Sequence, residues 1–291
     1  MLDTEAVSVW DLGAELGEGP VWVERDRALW FTDIKRRRIH RFDPASGDRR
    51  SWDAPEQVGF VLPAARGGFV AGLQSGPHHF DEGSGRFTAI APVDPHPPEN
   101  RLNDATTDPS GRLWFGTMDD GERTKSGAFF RMEAGRVTPT GIAGIAITNG
   151  PAVSPDGRLL YVVDTLERAI DVCEIADDGT LGDRRPFVRI APGEGNPDGP
   201  TVDSEGCVWV GLYGGWQARR YSPAGELIGT VRFPVANITK VAFGGDDLRT
   251  AYATTARQKM SSADLERQPQ AGDLFTFRVD VPGVGATPVA Y

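Results

Sequence analysis

Three turn glycines set the frame for this chain. Gly111, Gly157 and Gly206 lie 46 and 49 residues apart, and each closes a turn of the same character: Asp108-Pro109-Ser110-Gly111, Ser154-Pro155-Asp156-Gly157 and Asp203-Ser204-Glu205-Gly206. Directly after each turn comes a short run of β-branched and aromatic residues, Leu113-Trp114-Phe115, Leu159-Leu160-Tyr161-Val162-Val163 and Val208-Trp209-Val210. An earlier copy reads Glu24-Arg25-Asp26-Arg27 and then Ala28-Leu29-Trp30-Phe31-Thr32. Short apolar runs between turn clusters predict strands, and helical periodicity is scarce. Self-similarity at this period, with four short strands per unit, predicts a β-propeller. A chain of 291 residues divided by a repeat of about 48 predicts six blades. The expected fold is therefore all-β, a single domain over residues 1–291: a six-bladed β-propeller with four-stranded blades. The second and sixth units, around Gly67-Gly68 and Gly244-Gly245, are degenerate copies. A β-sandwich would also supply the strands, but the regular period speaks against it. Hydrophobic residues at 39% are enough for a core, and 36 Gly and 22 Pro supply the turns.

Charge and composition exclude several function classes. Asp and Glu number 41 against 31 Lys and Arg, a net charge of −10, which does not suit binding to nucleic acid or to an anionic membrane. No apolar run approaches the roughly 18 residues of a membrane span. The opening Met1-Leu2-Asp3-Thr4-Glu5 lacks the basic start and apolar stretch of a secretory signal. The two cysteines, Cys173 and Cys207, are too few for a disulfide framework or a zinc-finger ligand set. The expectation is a cytoplasmic protein, monomeric or weakly homo-oligomeric, with no nucleic-acid or membrane partner. No Gly-x-Ser-x-Gly elbow and no Ser-His-Asp set is apparent, and none of His40, His78, His79 and His96 lies at the start of a repeat. His78-His79 reads as a loop or strand pair.

Counting eight residues back from each turn position gives the most informative pattern. Asp26 leads to Glu18, Gly111 to Asn103, Gly157 to Asn149 and Gly206 to Asp198. All four side chains carry oxygen, and three precede Gly-Pro, as in Glu18-Gly19-Pro20, Asn149-Gly150-Pro151 and Asp198-Gly199-Pro200. Asn or Asp before Gly-Pro is ordinary turn chemistry when it occurs once. Four copies at one spacing are harder to explain that way. In a propeller this register opens the innermost strand of a blade, so quasi-symmetry carries the four side chains to one mouth of the central channel. Oxygen donors gathered there suit a hard divalent cation, Ca²⁺, Mg²⁺ or Mn²⁺, and also accept Zn²⁺ or Fe²⁺. Buried unpaired charge is costly, which favours a ligand at such a cluster.

At these residues the sequence resembles the senescence marker protein/gluconolactonase/regucalcin family. The resemblance spans essentially the whole chain. It rests on Leu16-Gly17-Glu18-Gly19-Pro20-Val21-Trp22, Asn100-Arg101-Leu102-Asn103-Asp104, Ile147-Thr148-Asn149-Gly150, Pro197-Asp198-Gly199, Phe243-Gly244-Gly245, Thr254-Thr255-Ala256-Arg257 and Gln268-Pro269-Gln270-Ala271-Gly272-Asp273, in that order. The resemblance implies one divalent cation held by Glu18, Asn149 and Asp198. It implies that Arg101 and Asn103 hold a sugar, with Asp104 as a supporting or substrate-facing group. The implied reaction is hydrolysis of an aldonolactone (xylono-, glucono-, galactono- or arabinonolactone) to its aldonic acid, with Asp198 as general base. The other implied reading is a calcium-binding regulatory protein without a dedicated catalytic role. An interaction scaffold and a phosphotriesterase-like hydrolase are further classes; the second would ask for another calcium site or a histidine near the metal. The loop Asp119–Gly127 is a candidate lid, Trp216 a candidate site residue outside the tryptophan register, and the stretch Arg257-Gln258-Lys259-Met260 departs from animal relatives, which have a shorter polar residue after Arg, with no role assigned to Lys259.

Overall fold

The computed structural model describes residues 5–291. Met1–Thr4, part of the segment inspected for signal character, lie outside the described residues. Strands account for nearly all regular structure, arranged as antiparallel meanders. The first unit runs Gly17–Val23, Ala28–Asp33, Arg38–Phe42 and Arg49–Asp53; the others repeat this order.

The expected count of six separate four-stranded blades is corrected by the hydrogen bonding. Four sheets, not six, are separate four-stranded blades; the remaining strands form one eight-stranded sheet. The fusion occurs where the inner strands Asn196–Val202 and Ile238–Gly244 run parallel and pair at Gly199 and Lys240. Gly199 permits it: a Cβ there would fall 2.7 Å from the Lys240 side chain. Without that atom the two strands approach to bonding distance. At its other edge the same sheet takes in Val7–Trp10, which pairs antiparallel with Leu274–Arg278 and so ties the beginning of the described chain to its end.

The turn acids and the tryptophans explain the repeat. Trp30, Trp114 and Trp209 are fully buried at matching strand positions. Each indole N–H donates to the acid of the preceding turn: to Asp26 at 3.1 Å, Asp108 at 2.9 Å and Asp203 at 2.9 Å. A buried Trp needs such a partner, and the acid doubles as the turn former, so one motif fixes both strand packing and turn geometry.

The innermost strands Gly17–Val23, Val58–Pro63, Asn100–Thr107, Thr148–Val153, Asn196–Val202 and Ile238–Gly244 touch one another in a ring. Each shows a register irregularity against its partner near its start. A bulge re-aims the side chain it contains, and Glu18, Asn103, Asn149 and Asp198 all sit at or beside such a break. The opposite mouth is crossed by the C-terminal segment: the Val289 N–H donates to Pro63 O (2.8 Å) and the Ala290 N–H to Gly111 O (2.9 Å). No helix among the described residues is long and apolar enough to cross a membrane.

Candidate active site

The expected convergence is present. Glu18, Arg101, Asn103, Asn149 and Asp198 line one open pocket of about 740 Å³, solvent at its mouth included. All five are almost completely buried. Asp104 is not in the lining. It lies behind the pocket, where its carboxylate accepts both close contacts of the Lys240 ammonium (2.6 and 2.8 Å) and the N–H groups of Ala105 (2.8 Å) and Gly150 (3.0 Å). Both its oxygens are thus committed within the protein. Trp216 is not in the lining either; it is exposed, with left-handed backbone. The four histidines bond elsewhere, His40 to Ser51, His78 to Gly76 O, His79 to Tyr291 and His96 to Gln74 O.

The floor of the pocket is two carboxylates and a carboxamide. Glu18 accepts the Gly19 N–H at 3.0 Å. Its pKa is pushed up to about 7, first by burial and then by the charge of Asp104, with the Gly19 N–H, Lys240 and Arg101 pulling the other way. Asp198 is raised well above the ordinary carboxylate value by burial, then by the charges of Glu18 and Asp104. Its Oδ1 is buried with no hydrogen-bond partner among the described residues. Two facing carboxylates have no hydrogen to share when both are ionised, so a proton or a cation must come between them.

Asn149 is oriented by a residue that sequence reading gave no role. Its Nδ2 donates to Thr165 Oγ1 (2.9 Å), and the Thr165 hydroxyl donates in turn to Pro197 O (2.9 Å), the carbonyl just before Asp198. A hydroxyl that spends its proton on Pro197 can only accept from Asn149. That settles the amide with Oδ1 toward the pocket, where it also accepts from Asn103 Nδ2 at 3.0 Å. Asn103 uses its other amide proton on Thr148 O (2.6 Å) and its Oδ1 on Arg101. It is a strut between Arg101 and Asn149 more than a free donor.

Arg101 donates through Nε to Asp120 (2.8 Å) and through Nη1 to Leu102 O and Asn103 Oδ1. Burial lowers its pKa, opposed by Asp120. Burial alone would raise Asp120, but hydrogen bonds from Lys35 and Gln57 and the charges of Arg101 and Lys35 outweigh that and hold it at about 2. The loop after strand Leu113–Asp119 is pinned by Asp119, which accepts the N–H groups of Gly121, Arg123 and Thr124. It sends Glu122 into the pocket wall, and Tyr213, Gln258 and Lys259 complete that side. Sequence reading gave Thr165 and Tyr213 no role, whereas Glu122 belongs to the Asp119–Gly127 loop read as a candidate lid.

The donor set fits a hard divalent cation. Glu18 and Asp198 supply charge, Asn149 supplies a neutral oxygen already aimed, and the partnerless Asp198 Oδ1 is the kind of buried atom a cation satisfies. No group of three His, Cys, Asp or Glu able to hold a metal occurs among the described residues, as expected where the third donor is an amide.

Fold and site together define a β-propeller with an oxygen-donor pocket at one mouth of its channel. The chain belongs to the SMP-30/gluconolactonase/LRE-like family, whose model matches residues 16–257. It is 35% identical to a 6-deoxy-6-sulfogluconolactonase of Pseudomonas putida over 92% of each chain. It is 34% identical to an L-arabinolactonase of Azospirillum brasilense, covering 96% of this chain and 94% of that one. The solved structure of a calcium-binding protein, regucalcin, from Agrobacterium tumefaciens superposes with a TM-score of 0.94 at 27% identity, over 98% of this chain and 97% of the other.

Proposed function

We propose that this protein is a sugar lactonase that hydrolyses an aldonolactone to its aldonic acid in a reaction that depends on a divalent cation. The observation that carries the reading is the buried pair Glu18 and Asp198 beside the oriented amide of Asn149, an oxygen set left with a partnerless atom in a pocket open to a small molecule. Relatives named as lactonases of sulfogluconolactone and arabinolactone support it. Glu18, Asn149 and Asp198 would hold the cation, which when bound polarises an ester carbonyl and offsets the charge that develops on its oxygen.

The chain's own residues do the rest. Asp198 takes the proton of the attacking water and returns it to the ring oxygen as the acyl C–O bond breaks, leaving a carboxylic acid and a free hydroxyl. Arg101 holds the sugar through Nη2, since its Nε and Nη1 are committed within the protein. Asn103 keeps Arg101 and Asn149 in place. Acid release from a panel of aldonolactones, followed with a pH indicator on protein stripped and reloaded with single divalent cations, tests the reading. Turnover in the wild type and its loss in Asp198→Asn, with the fold retained, are expected. Full activity in Asp198→Asn would reject the assignment.

The likeness to a calcium-binding regucalcin favours one second reading, a calcium-binding regulatory protein. It predicts tight calcium binding with no acid released from any lactone in the panel.

A further inference from the structure

The pocket mouth carries charge that opening a neutral lactone ring does not need. Glu122 and Lys259, 137 positions apart in sequence, both line the pocket, and their side chains meet there as an ion pair. Both hold left-handed backbone, with φ of 55° and 63°, a conformation that strains any residue but glycine. The turn bearing Lys259 is tightly anchored. The Tyr213 hydroxyl donates to Gln258 O (2.6 Å), the Gln258 N–H to Glu15 O (2.8 Å) and Arg257 Nε to Ala271 O (2.7 Å). Glycine would relax the backbone at 259, yet this anchored turn presents a lysine to the pocket.

Lys35 and Arg101 share Asp120, and Lys259 has Glu122. Of the pocket-lining residues Arg101 and Lys259 carry the positive charges; Arg101 is almost fully buried, whereas the Lys259 side chain stands at the solvent-exposed mouth. Charges more than about 8 Å away are largely screened at physiological salt, so an arriving ligand meets the rim rather than the global charge. The ammonium of Lys259 has three donors and its side chain keeps 60% of its exposure, so Glu122 does not exhaust it.

We propose that Lys259 is a specificity-determining residue that selects aldonolactones bearing an oxyanion, such as a carboxylate, sulfonate or phosphate, at the end of the carbon chain away from the ring carbonyl. The anion takes the place of Glu122 on the ammonium while the ring carbonyl lies at the carboxylate floor. This deepens the lactonase reading and rests on it.

The test compares D-glucaro-1,4-lactone, which carries a carboxylate at C6, with D-glucono-1,4-lactone, which carries a hydroxyl there, as a ratio of kcat/KM on the full-length protein. A charge-assisted hydrogen bond predicts a wild-type preference for the anionic lactone of about tenfold. Lys259→Gly should remove most of that preference, Lys259→Arg should keep it, and Glu122→Gln should increase it. An unchanged ratio in Lys259→Gly, or a wild-type ratio of one or below, overturns the proposal. If the wild type opens neither lactone, the lactonase reading fails by itself. Calorimetry with glucarate and gluconate then decides the selectivity: tighter glucarate binding that Lys259→Gly abolishes sustains it, and equal affinities in the wild type overturn it.

Discussion

Replacing Lys240 by Met should be the most damaging single change near the pocket that touches none of its lining donors. Lys240 reaches from the inner strand Ile238–Gly244 to Asp104, 136 residues away, and gives both carboxylate oxygens a short contact, 2.6 and 2.8 Å. Both side chains are almost fully buried. Met keeps most of the side-chain volume but leaves Asp104 with only the N–H groups of Ala105 and Gly150. Removing one partner of a buried pair costs about 3–5 kcal/mol because the other charge is stranded. The two remaining N–H donors place this case at the lower end, about 3 kcal/mol. Unfolding entropy of about 2.1 cal/mol/K per residue turns that into a fall in Tm of about 5 °C for a chain of this length. The assay is thermal and urea unfolding of wild type, Lys240→Met, Asp104→Asn and the double variant, all in chelator so that no cation contributes. The double variant should recover part of the loss, since it no longer strands an anion. A loss below about 1 kcal/mol in Lys240→Met, or additive single effects in the cycle, would refute the claim that this pair pins the channel.

Other expectations follow from the same contacts. Thr165→Val removes the acceptor that orients Asn149; divalent affinity by calorimetry should fall about 10- to 100-fold, as when a supporting partner of a ligand is lost, while Thr165→Ser should keep it, and unchanged affinity in the valine variant would show that Thr165 does not set the amide. His40 is lowered from 6.5 to about 4, first by burial, with Asp33 opposing. The unfolded chain therefore takes up the proton more readily: this contribution is complete above about pH 6.5 and is lost as pH falls through about 4, amounting to about 3 kcal/mol. His40→Gln should lack that acid slope in pH-dependent denaturation, and an identical slope in both proteins would contradict it. Because Glu18 is raised to about 7, loading a divalent cation near neutral pH should release protons and its affinity should weaken as pH drops below 7, measurable by titration in buffers of different ionisation enthalpy; a pH-independent affinity between 6 and 8 would contradict the assignment of Glu18.

Much of the fold was legible because one motif does two jobs. The acid of each turn both forms the turn and accepts the indole of Trp30, Trp114 or Trp209, so the repeat survives in sequence even where the rest of a blade has drifted. Sheet connectivity was not legible. Whether two inner strands bond depends on local approach, and the absence of one Cβ at Gly199 joins two meanders into an eight-stranded sheet. The pocket residues showed because the bulges recur at one register and re-aim one position per strand. What lay outside that register stayed hidden. Lys240 lies in the degenerate sixth unit, Thr165 acts through Asn149, and Glu122 and Lys259 come from loops. Asp104 was expected from the resemblance as a supporting or substrate-facing group; alternation along a strand turns it to the side opposite its neighbour Asn103, where the ammonium of Lys240 meets it.

With a divalent cation held as proposed by Glu18, Asn149 and Asp198, the channel charges account for the third oxygen donor being an amide. Among the almost fully buried cations, Arg101 is matched by Asp120, which also pairs with the more exposed Lys35. That leaves Glu18, Asp198 and Asp104 as three carboxylates against the single ammonium of Lys240. Lys240 cancels Asp104, and the remainder is two negative charges on the two acids that face each other. One divalent cation cancels that remainder. A third carboxylate at position 149 would leave a net negative charge buried with no counterion, and a second amide in place of Glu18 or Asp198 would leave the cation in surplus. Asn149 adds an oxygen without adding charge, and the Thr165 hydroxyl, by spending its proton on Pro197, is what keeps that oxygen rather than the amine turned inward. The buried Lys240–Asp104 pair and the oriented amide are therefore two parts of one electrostatic balance, and disturbing either should be felt at Glu18 and Asp198 before it is felt anywhere else in the ring.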